Sequence, residues 1–186
     1  CLVLTAGVDV QDNRFEIVVW GWGRGEEMWV VDYLVLQANP ADERDWEKLE
    51  EYLSTKFQHA SGQMIGIEAT GIDTGGHFTH QVYDFFRYRS ARRIYAIKGD
   101  SKQGSPVKGK ASMQDVNHRG KIIKNGVKLW MVGTDTAKDL LHGRLKATQA
   151  GPGRARFFTD LPVEFYAQLT AEARVLQKTA SGEQYR

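Results

Sequence analysis

Gly7-Val8-Asp9-Val10-Gln11-Asp12-Asn13-Arg14 is the stretch on which the reading of this chain turns. Before it runs Leu2-Val3-Leu4-Thr5-Ala6, and after it Phe15-Glu16-Ile17-Val18-Val19-Trp20, both largely apolar. Two strands joined by a polar Asp-Asn turn account for the pattern. Asp9 is the odd residue, because it lies inside the first strand between two valines, where a carboxylate is costly to bury. A buried carboxylate usually has a cation beside it. An Asp at the centre of a sheet, joined by carboxylates from later strands, is one way to build a metal-dependent site. The plainer alternative is a solvated Asp on an edge strand.

The 186 residues suffice for one domain with a real core, and a single domain over 1–186 is the expectation. Hydrophobic content of 41% and charged content of 26% fit a soluble globular chain. No apolar run approaches a membrane span, and no signal-peptide pattern opens the chain. Cys1 is the one cysteine, which excludes an internal disulfide framework or a cysteine zinc site and fits a reducing compartment. The net charge of +2 says little, but its distribution says more. Nine acidic and two basic residues fall between Glu26 and Glu51, whereas eleven basic residues face Asp100 and Asp115 between Arg87 and Lys124. The basic cluster is an electrostatic footprint for a polyanion.

A second strand over about 15–22 leads into Gly21-Trp22-Gly23-Arg24-Gly25. No helix opens after this run, so it reads as a hairpin turn rather than a phosphate loop. A third strand covers about 27–36. A helix follows, with Asn39 as cap, Pro40 in the first turn and Trp46, Leu49, Leu53 and Phe57 on one face. The fourth strand, Met64 to Ile72, implies a parallel crossover. It brings Glu68 within the strand and Asp73 at its end, ahead of a helix carrying Val82, Phe85 and Phe86. An Asp at the C-terminal end of a parallel strand stands where open α/β sheets bind ligands, although an N-cap role would also place it there. His77 and His80, three apart, flank that position or line the helix.

A fifth strand over 93–98 precedes a loop rich in Lys, Gly and Ser. Gly104 to Ala111 resembles a P-loop, but Ala111 occupies the Mg²⁺-binding Ser/Thr position and no apolar helix follows. It reads as a mobile basic loop in which Lys102, Lys108 and Lys110 suit a phosphate backbone. Arg119 and Lys121 extend the basic set. Asn125-Gly126, between two apolar runs, predicts a hairpin. Thr134 then caps a helix bearing Ala137, Leu140, Leu141 and Leu145. Asp135, in its first turn, suits the helix dipole and is also a third carboxylate following a strand. Arg154 and Arg156, in a Gly-Pro-Gly turn, are a second candidate nucleic-acid contact. A last helix from Asp160 carries Phe165, Leu169, Ala173 and Leu176, and a polar tail follows.

Three antiparallel strands, a helix, a parallel strand, a helix and another strand follow the order of a ribonuclease H-like sheet. The expected fold class is therefore α/β, a ribonuclease H-like mixed sheet flanked by helices. Leu4 to Gln11, Trp20 to Gly23, Ile72 to His77, Val82 to Phe85, Ala96 to Gly99 and Val132 to Asp139 resemble the nuclease domain of lambda-type phage large terminase subunits. Gly151 to Gly153 and Gln168 to Glu172 fit as well. The resemblance covers nearly the whole chain, and its motifs are specific together rather than singly.

The resemblance implies an endonuclease that cuts concatemeric double-stranded DNA in the host cytoplasm during packaging. It implies no membrane, and it implies the small terminase subunit and the portal as partners of the full-length protein. It implies two Mg²⁺ or Mn²⁺ ions about 3.5–4 Å apart, held by carboxylates because these are hard cations. Asp9 would bridge the ions and Asp73 would hold one. Glu68 and Asp135 are the further candidate ligands, and Lys98 would stabilise the scissile phosphate. The family's packaging ATPase would lie upstream, consistent with the lack of a true P-loop. One departure stands out: an Asn-Glu-Ala-Leu-Asp-type acidic segment expected after the final helix and a strand is missing before Arg186, so the metal site is expected to be incomplete. Two other readings on the same basic face are a non-catalytic DNA- or protein-docking module and a resolvase- or transposase-like recombinase.

Overall fold

In the computed structural model, which describes every residue except 88–92, 119, 173–175, 180, 181 and 186, period-2 alternation builds the first three strands. β1 (Val3–Val10) buries Leu4, Ala6, Val8 and Val10, and β2 (Arg14–Trp22) buries Phe15, Ile17 and Val19 on the same face. They pair antiparallel from Val3↔Trp22 to Val10↔Phe15, and Gln11 N–H donates to the Arg14 carbonyl at 3.0 Å across the polar turn. The glycine-rich run is a turn between strands, a short 3-10 segment at Arg24–Glu26 with Gly25 at φ 66°. β3 (Met28–Gln37) then pairs antiparallel with β2.

α1 (Glu43–Leu53) starts later than the Asn-Pro signal predicts. Asp42 is the cap, accepting from Arg44 N–H at 3.0 Å. The Arg44 side chain also binds it, and that side-chain bond, with the backbone one, lowers the pKa of the Asp42 carboxyl to about 2. Asn39 instead closes the preceding turn, where its Oδ1 accepts from Ala41 N–H at 3.1 Å. Pro40 is buried, and its carbonyl accepts from Trp46 Nε1 at 2.9 Å. Phe57 lies beyond the helix on β4 (Lys56–Gln58), a short strand antiparallel to β5 (Met64–Asp73).

α2 (Thr79–Arg87) returns the chain to β6 (Ile94–Asp100). The next segment departs most from expectation. β7 (Ala111–His118) and β8 (Lys121–Gly133) form a long antiparallel pair, so the chain reverses before Lys121 and not at Asn125-Gly126. Pairing steps from Gln114↔Val127 to Val116↔Ile123, which leaves Asp115 facing Lys124, Asn125 and Gly126. Asn125 adopts φ 52° and its N–H donates to Asp115 Oδ1 at 2.9 Å. The turn chemistry is therefore real, but it makes a bulge. Val116 and Val127 on either side are buried in the core and keep the pairing going.

α3 (Thr134–Leu145) leaves the end of β8, and β9 (Ala155–Arg156) adds a parallel edge to β3. The sheet order is β7-β8-β6-β5-β1-β2-β3-β9, with β4 on β5. β1, β5, β6 and β8 run parallel, and β2 and β3 continue the sheet antiparallel. This is the mixed α/β sheet of a ribonuclease H-like fold. One face is packed by α1 through Trp46, Leu49 and Leu53 and by α2 through Val82, Phe85 and Phe86. Phe15, Trp46 and Phe85 form a chain of rings with centroids 4.8 and 5.1 Å apart, linking β2, α1 and α2.

The chain divides into two compact units, Cys1–Arg156 and Phe157–Arg186. In the second, α4 (Val163–Leu169) buries Phe165, whose ring contacts Phe157 and Tyr166. The last helix is shorter than its apolar spacing predicts. Thr170 ends it, with both its N–H and Oγ1 donating to the Tyr166 carbonyl at 3.1 and 2.8 Å. Leu176 belongs instead to β10 (Leu176–Thr179), paired antiparallel with β11 (Gly182–Tyr185), and Ala173 lies outside the described residues.

Candidate active site

The register of β1 against β5 builds the site. Ala6↔Thr70, Gly7↔Gly71 and Val8↔Ile72 are partners, and the next step sets Asp9 beside Asp73. Val8 and Ile72 go into the core, so alternation turns both carboxylates to the other face, at the C-terminal ends of both strands. Adjacent strands lie about 4.8 Å apart, which makes the two acids immediate neighbours. The expected burial of Asp9 does not occur. It sits mid-sheet yet exposed, because α1 and α2 pack against the opposite face.

Each carboxylate is oriented by a neighbour. Gln11 Nε2 donates to Asp9 Oδ2, and Gly75 N–H donates to Asp73 Oδ1 at 3.1 Å. Thr74 anchors the end of β5, since its N–H and Oγ1 both donate to the Ile97 carbonyl, at 2.9 and 3.0 Å. The Gly75-Gly76 loop passes close to β1, where a Cβ on Gly76 would stand 3.4 Å from the Val10 carbonyl oxygen. His77 Nδ1 then meets Asp12 Oδ1 at 3.1 Å, tying the β5–α2 loop to the β1–β2 turn. His80 sits exposed on α2.

The surface next to the acids is open. Gly7 and Gly71 are register partners on the carboxylates' face; a Cβ on Gly7 would meet nothing within 4 Å, whereas one on Gly71 would stand 3.1 Å from the Ile97 side chain, so the open patch is on the Asp9 side. The sequence reading missed Glu16, the cross-strand partner of Asp9, which accepts from Arg14 Nε at 2.7 Å and from Tyr33 OH at 3.3 Å. Its signal was the single acid interrupting Phe15-Glu16-Ile17. Nor does the sequence by itself mark Gln11 as the partner of Asp9, or Asp12, a residue of the Asp-Asn turn, as the partner of His77.

The other predicted residues scatter. Glu68 lies five residues before Asp73, about 16 Å along the strand, in an ion pair with Arg93. It borders a cavity of about 360 Å³ together with Glu50, Ser54 and Arg93. Lys98 follows Ile97, the partner of Asp73, so the pleat directs it to the face of Ala96, away from the acids. Asp135 is exposed in the first turn of α3, at the same C-terminal edge as Asp73 but two strands away. Among the described residues, no three of His, Cys, Asp and Glu come together to hold a metal.

The basic candidates divide likewise. Lys102, Lys108 and Lys110 lie between β6 and β7, near the carboxylate edge. Their segment is hydrogen-bonded along its length, not a loose loop. Asp100 accepts from Lys102 N–H at 3.0 Å and from Ser105 Oγ at 2.8 Å, bonds that hold its carboxyl below the usual carboxylate range. Thr136 Oγ1 donates to the Ser105 carbonyl at 2.6 Å, and Gly109 N–H to the Met131 carbonyl at 2.8 Å. Lys121 is at the start of β8, nine residues before the position level with Asp73, and Arg119 lies outside the described residues. Arg154 and Arg156 are at the far edge of the sheet, beside the start of β3. Arg156 is paired with Glu27 at 2.6 Å and lies over the Trp29 ring.

The family described as "Terminase large subunit gpA, endonuclease domain" matches residues 1–186. The chain belongs to this family. The terminase large subunit of Enterobacteria phage P21 is 34% identical over 179 residues, covering 94% of this chain and 26% of the relative. The terminase large subunit of Escherichia phage lambda is 36% identical over 179 residues, covering 92% of this chain and 27% of the relative. This terminase domain thus spans about a quarter of the length of the relatives it matches. No solved structure gives a significant match. Among the described residues of the domain, no helix is long and apolar enough to cross a membrane.

Proposed function

We propose that this terminase domain is a metal-dependent endonuclease that cuts concatemeric double-stranded DNA during viral packaging. The observation that carries the reading is the in-register pair Asp9 and Asp73, two carboxylates on neighbouring parallel strands, with Asp9 exposed and Asp73 partly so. A donor set of hard oxygens beside open space fits a divalent cation such as Mg²⁺ or Mn²⁺. Asp9 and Asp73 would hold the metal; Glu16, the cross-strand partner of Asp9, is the nearest further acid, and Asp135 lies on the same edge two strands away. Bound there, the metal supplies activation of water and neutralisation of the phosphate's charge.

The rest falls to the chain's own groups. Gln11 and Gly75 hold one oxygen of each carboxylate and so fix which oxygens face the substrate. Gly7, where an added Cβ would meet nothing within 4 Å, leaves room for a phosphodiester backbone beside Asp9. Lys102, Lys108 and Lys110, anchored near that edge, bind phosphates without reading sequence. The small terminase subunit and the portal are proposed partners of the longer protein, acting in the host cytoplasm.

Nicking of supercoiled plasmid tests the reading. Wild-type protein should nick with Mn²⁺ or Mg²⁺, more strongly with Mn²⁺, and not in excess chelator. Asp73→Asn and Asp9→Asn should each abolish nicking while circular dichroism stays unchanged. Metal-independent nicking, or wild-type rates in either variant, would overturn the assignment. DNA binding without any cutting would favour the docking-module alternative.

A further inference from the structure

The row of residues that contains the acids continues across the sheet. Asp73 pairs with Ile97 on β6, and Ile97 pairs with Trp130 on β8. Val127 and Leu129 enter the core, so Lys128 and Trp130 face away from α1 and α2, on the side of Asp9 and Asp73. Two strand spacings, about 10 Å, separate Trp130 from Asp73 along this row. The Trp130 ring is half-buried, and it gathers two ammonium groups: Lys108 Nζ at 4.9 Å and Lys128 Nζ at 4.7 Å from its centroid. Both lysines are exposed, and they reach the ring from different segments. Two like charges at one ring repel each other, so the arrangement is poised to accept an anion.

We infer that Trp130, with Lys108 and Lys128, is a platform for an unpaired nucleotide of the DNA strand lying next to the carboxylate pair. This rests on the nuclease reading. The base stacks on the indole, and the two ammonium groups take the flanking phosphates. Every base has a π-face, so the platform needs no sequence preference. A stacked base is worth more than an exposed cation–π contact, so it displaces an ammonium group, which moves to phosphate. A fully paired duplex hides its base faces and offers only phosphates to the lysines. The platform therefore favours a strand opened beside the cut.

The test is fluorescence anisotropy in chelator, where nothing is cut, with labelled oligothymidylate and with a duplex of equal length. Trp130→Ala should weaken single-strand binding roughly tenfold and duplex binding by less than about twofold. Trp130→Phe should retain most of the single-strand affinity. The double variant Lys108→Gln, Lys128→Gln, at two exposed sites, should flatten the single-strand salt slope by about 0.7 for each lost contact. Unchanged single-strand affinity in Trp130→Ala, or equal losses on both probes, would overturn the platform. The two readings fail separately. If wild-type protein nicks plasmid but Trp130→Ala binds oligothymidylate normally, the platform falls and the nuclease stands. If Trp130→Ala loses single-strand binding but wild-type protein never nicks, the platform stands as a binding site and the nuclease falls.

Discussion

Gly7 carries more information than its size suggests. A glycine inside a strand weakens it, and most are explained by a close neighbour or a positive φ. Gly7 has neither, since an added Cβ would meet only open space and φ is not in the left-handed region. Its lack of a side chain is therefore not required by packing. It clears the surface beside Asp9 and Asp73. Gly7→Val should keep or raise Tm, because a β-branched residue suits a strand. The same change should lower the nicking rate by roughly tenfold or more, on the scale of a misplaced substrate. Calorimetry and plasmid nicking together check it. A fall in Tm, or unchanged nicking, would sink this account. For Asp9 and Asp73 the logic is reversed: two neighbouring negative charges repel, so the Asn variants should lose activity without losing stability.

At the scale of elements, the segment between β6 and β7 is the instructive one. Its glycines and lysines read as a loose loop, yet it is anchored to Asp100, Thr136 and the end of β8. Gly133 is the hinge of that packing. Its N–H donates to the Pro106 carbonyl at 3.1 Å, and a Cβ there would approach the Pro106 oxygen to 2.7 Å and the Ser105 oxygen more closely still. Backbone on both sides leaves little room to yield. Gly133→Ala should therefore destabilise the protein by about 1–3 kcal/mol, read from denaturant unfolding. Its φ of −66° is ordinary for alanine, so any loss measures the clash and not backbone strain. Wild-type stability in that variant would mean that the segment is free to move away.

At the scale of the whole molecule, the proposed contact with DNA turns on where the charge lies. The lysines of the β6–β7 segment lie near the acidic pair, whereas Arg154 and Arg156 lie at the other edge of the sheet, with Arg156 held by Glu27. Duplex binding should be independent of sequence, and log K should fall with log salt at about −0.9 per phosphate contact. Charge reversal at Lys102, Lys108 and Lys110 should flatten that slope by up to about 3, one contact each. Reversal at Arg154 should leave it unchanged. Anisotropy titrations over a range of salt check both, and the opposite result would place DNA along β9.

What the sequence determined by itself is what short-range periodicity controls. Alternation in β1, β2, β3, β5 and β6, and the 3.6-residue spacing of Trp46, Leu49 and Leu53, encode elements and buried faces without knowledge of partners. With the connection order, that reached the ribonuclease H-like sheet and placed Asp9 and Asp73 on strands. Tertiary structure decided everything that depends on register and competition. Asn125-Gly126 became a bulge because Val116 and Val127 both had core to fill, and local turn chemistry is too weak to override that burial. Phe57 and Leu176 fit helical spacing but joined strands. Asp9 proved exposed because the face a strand residue occupies is visible in sequence, whereas what covers that face is not. The union of Asp9 with Asp73, the separation of Glu68 from both, and the alignment of Trp130 with Asp73 all follow from strand order and register. Those come from long-range pairing, about which no local window of residues carries information.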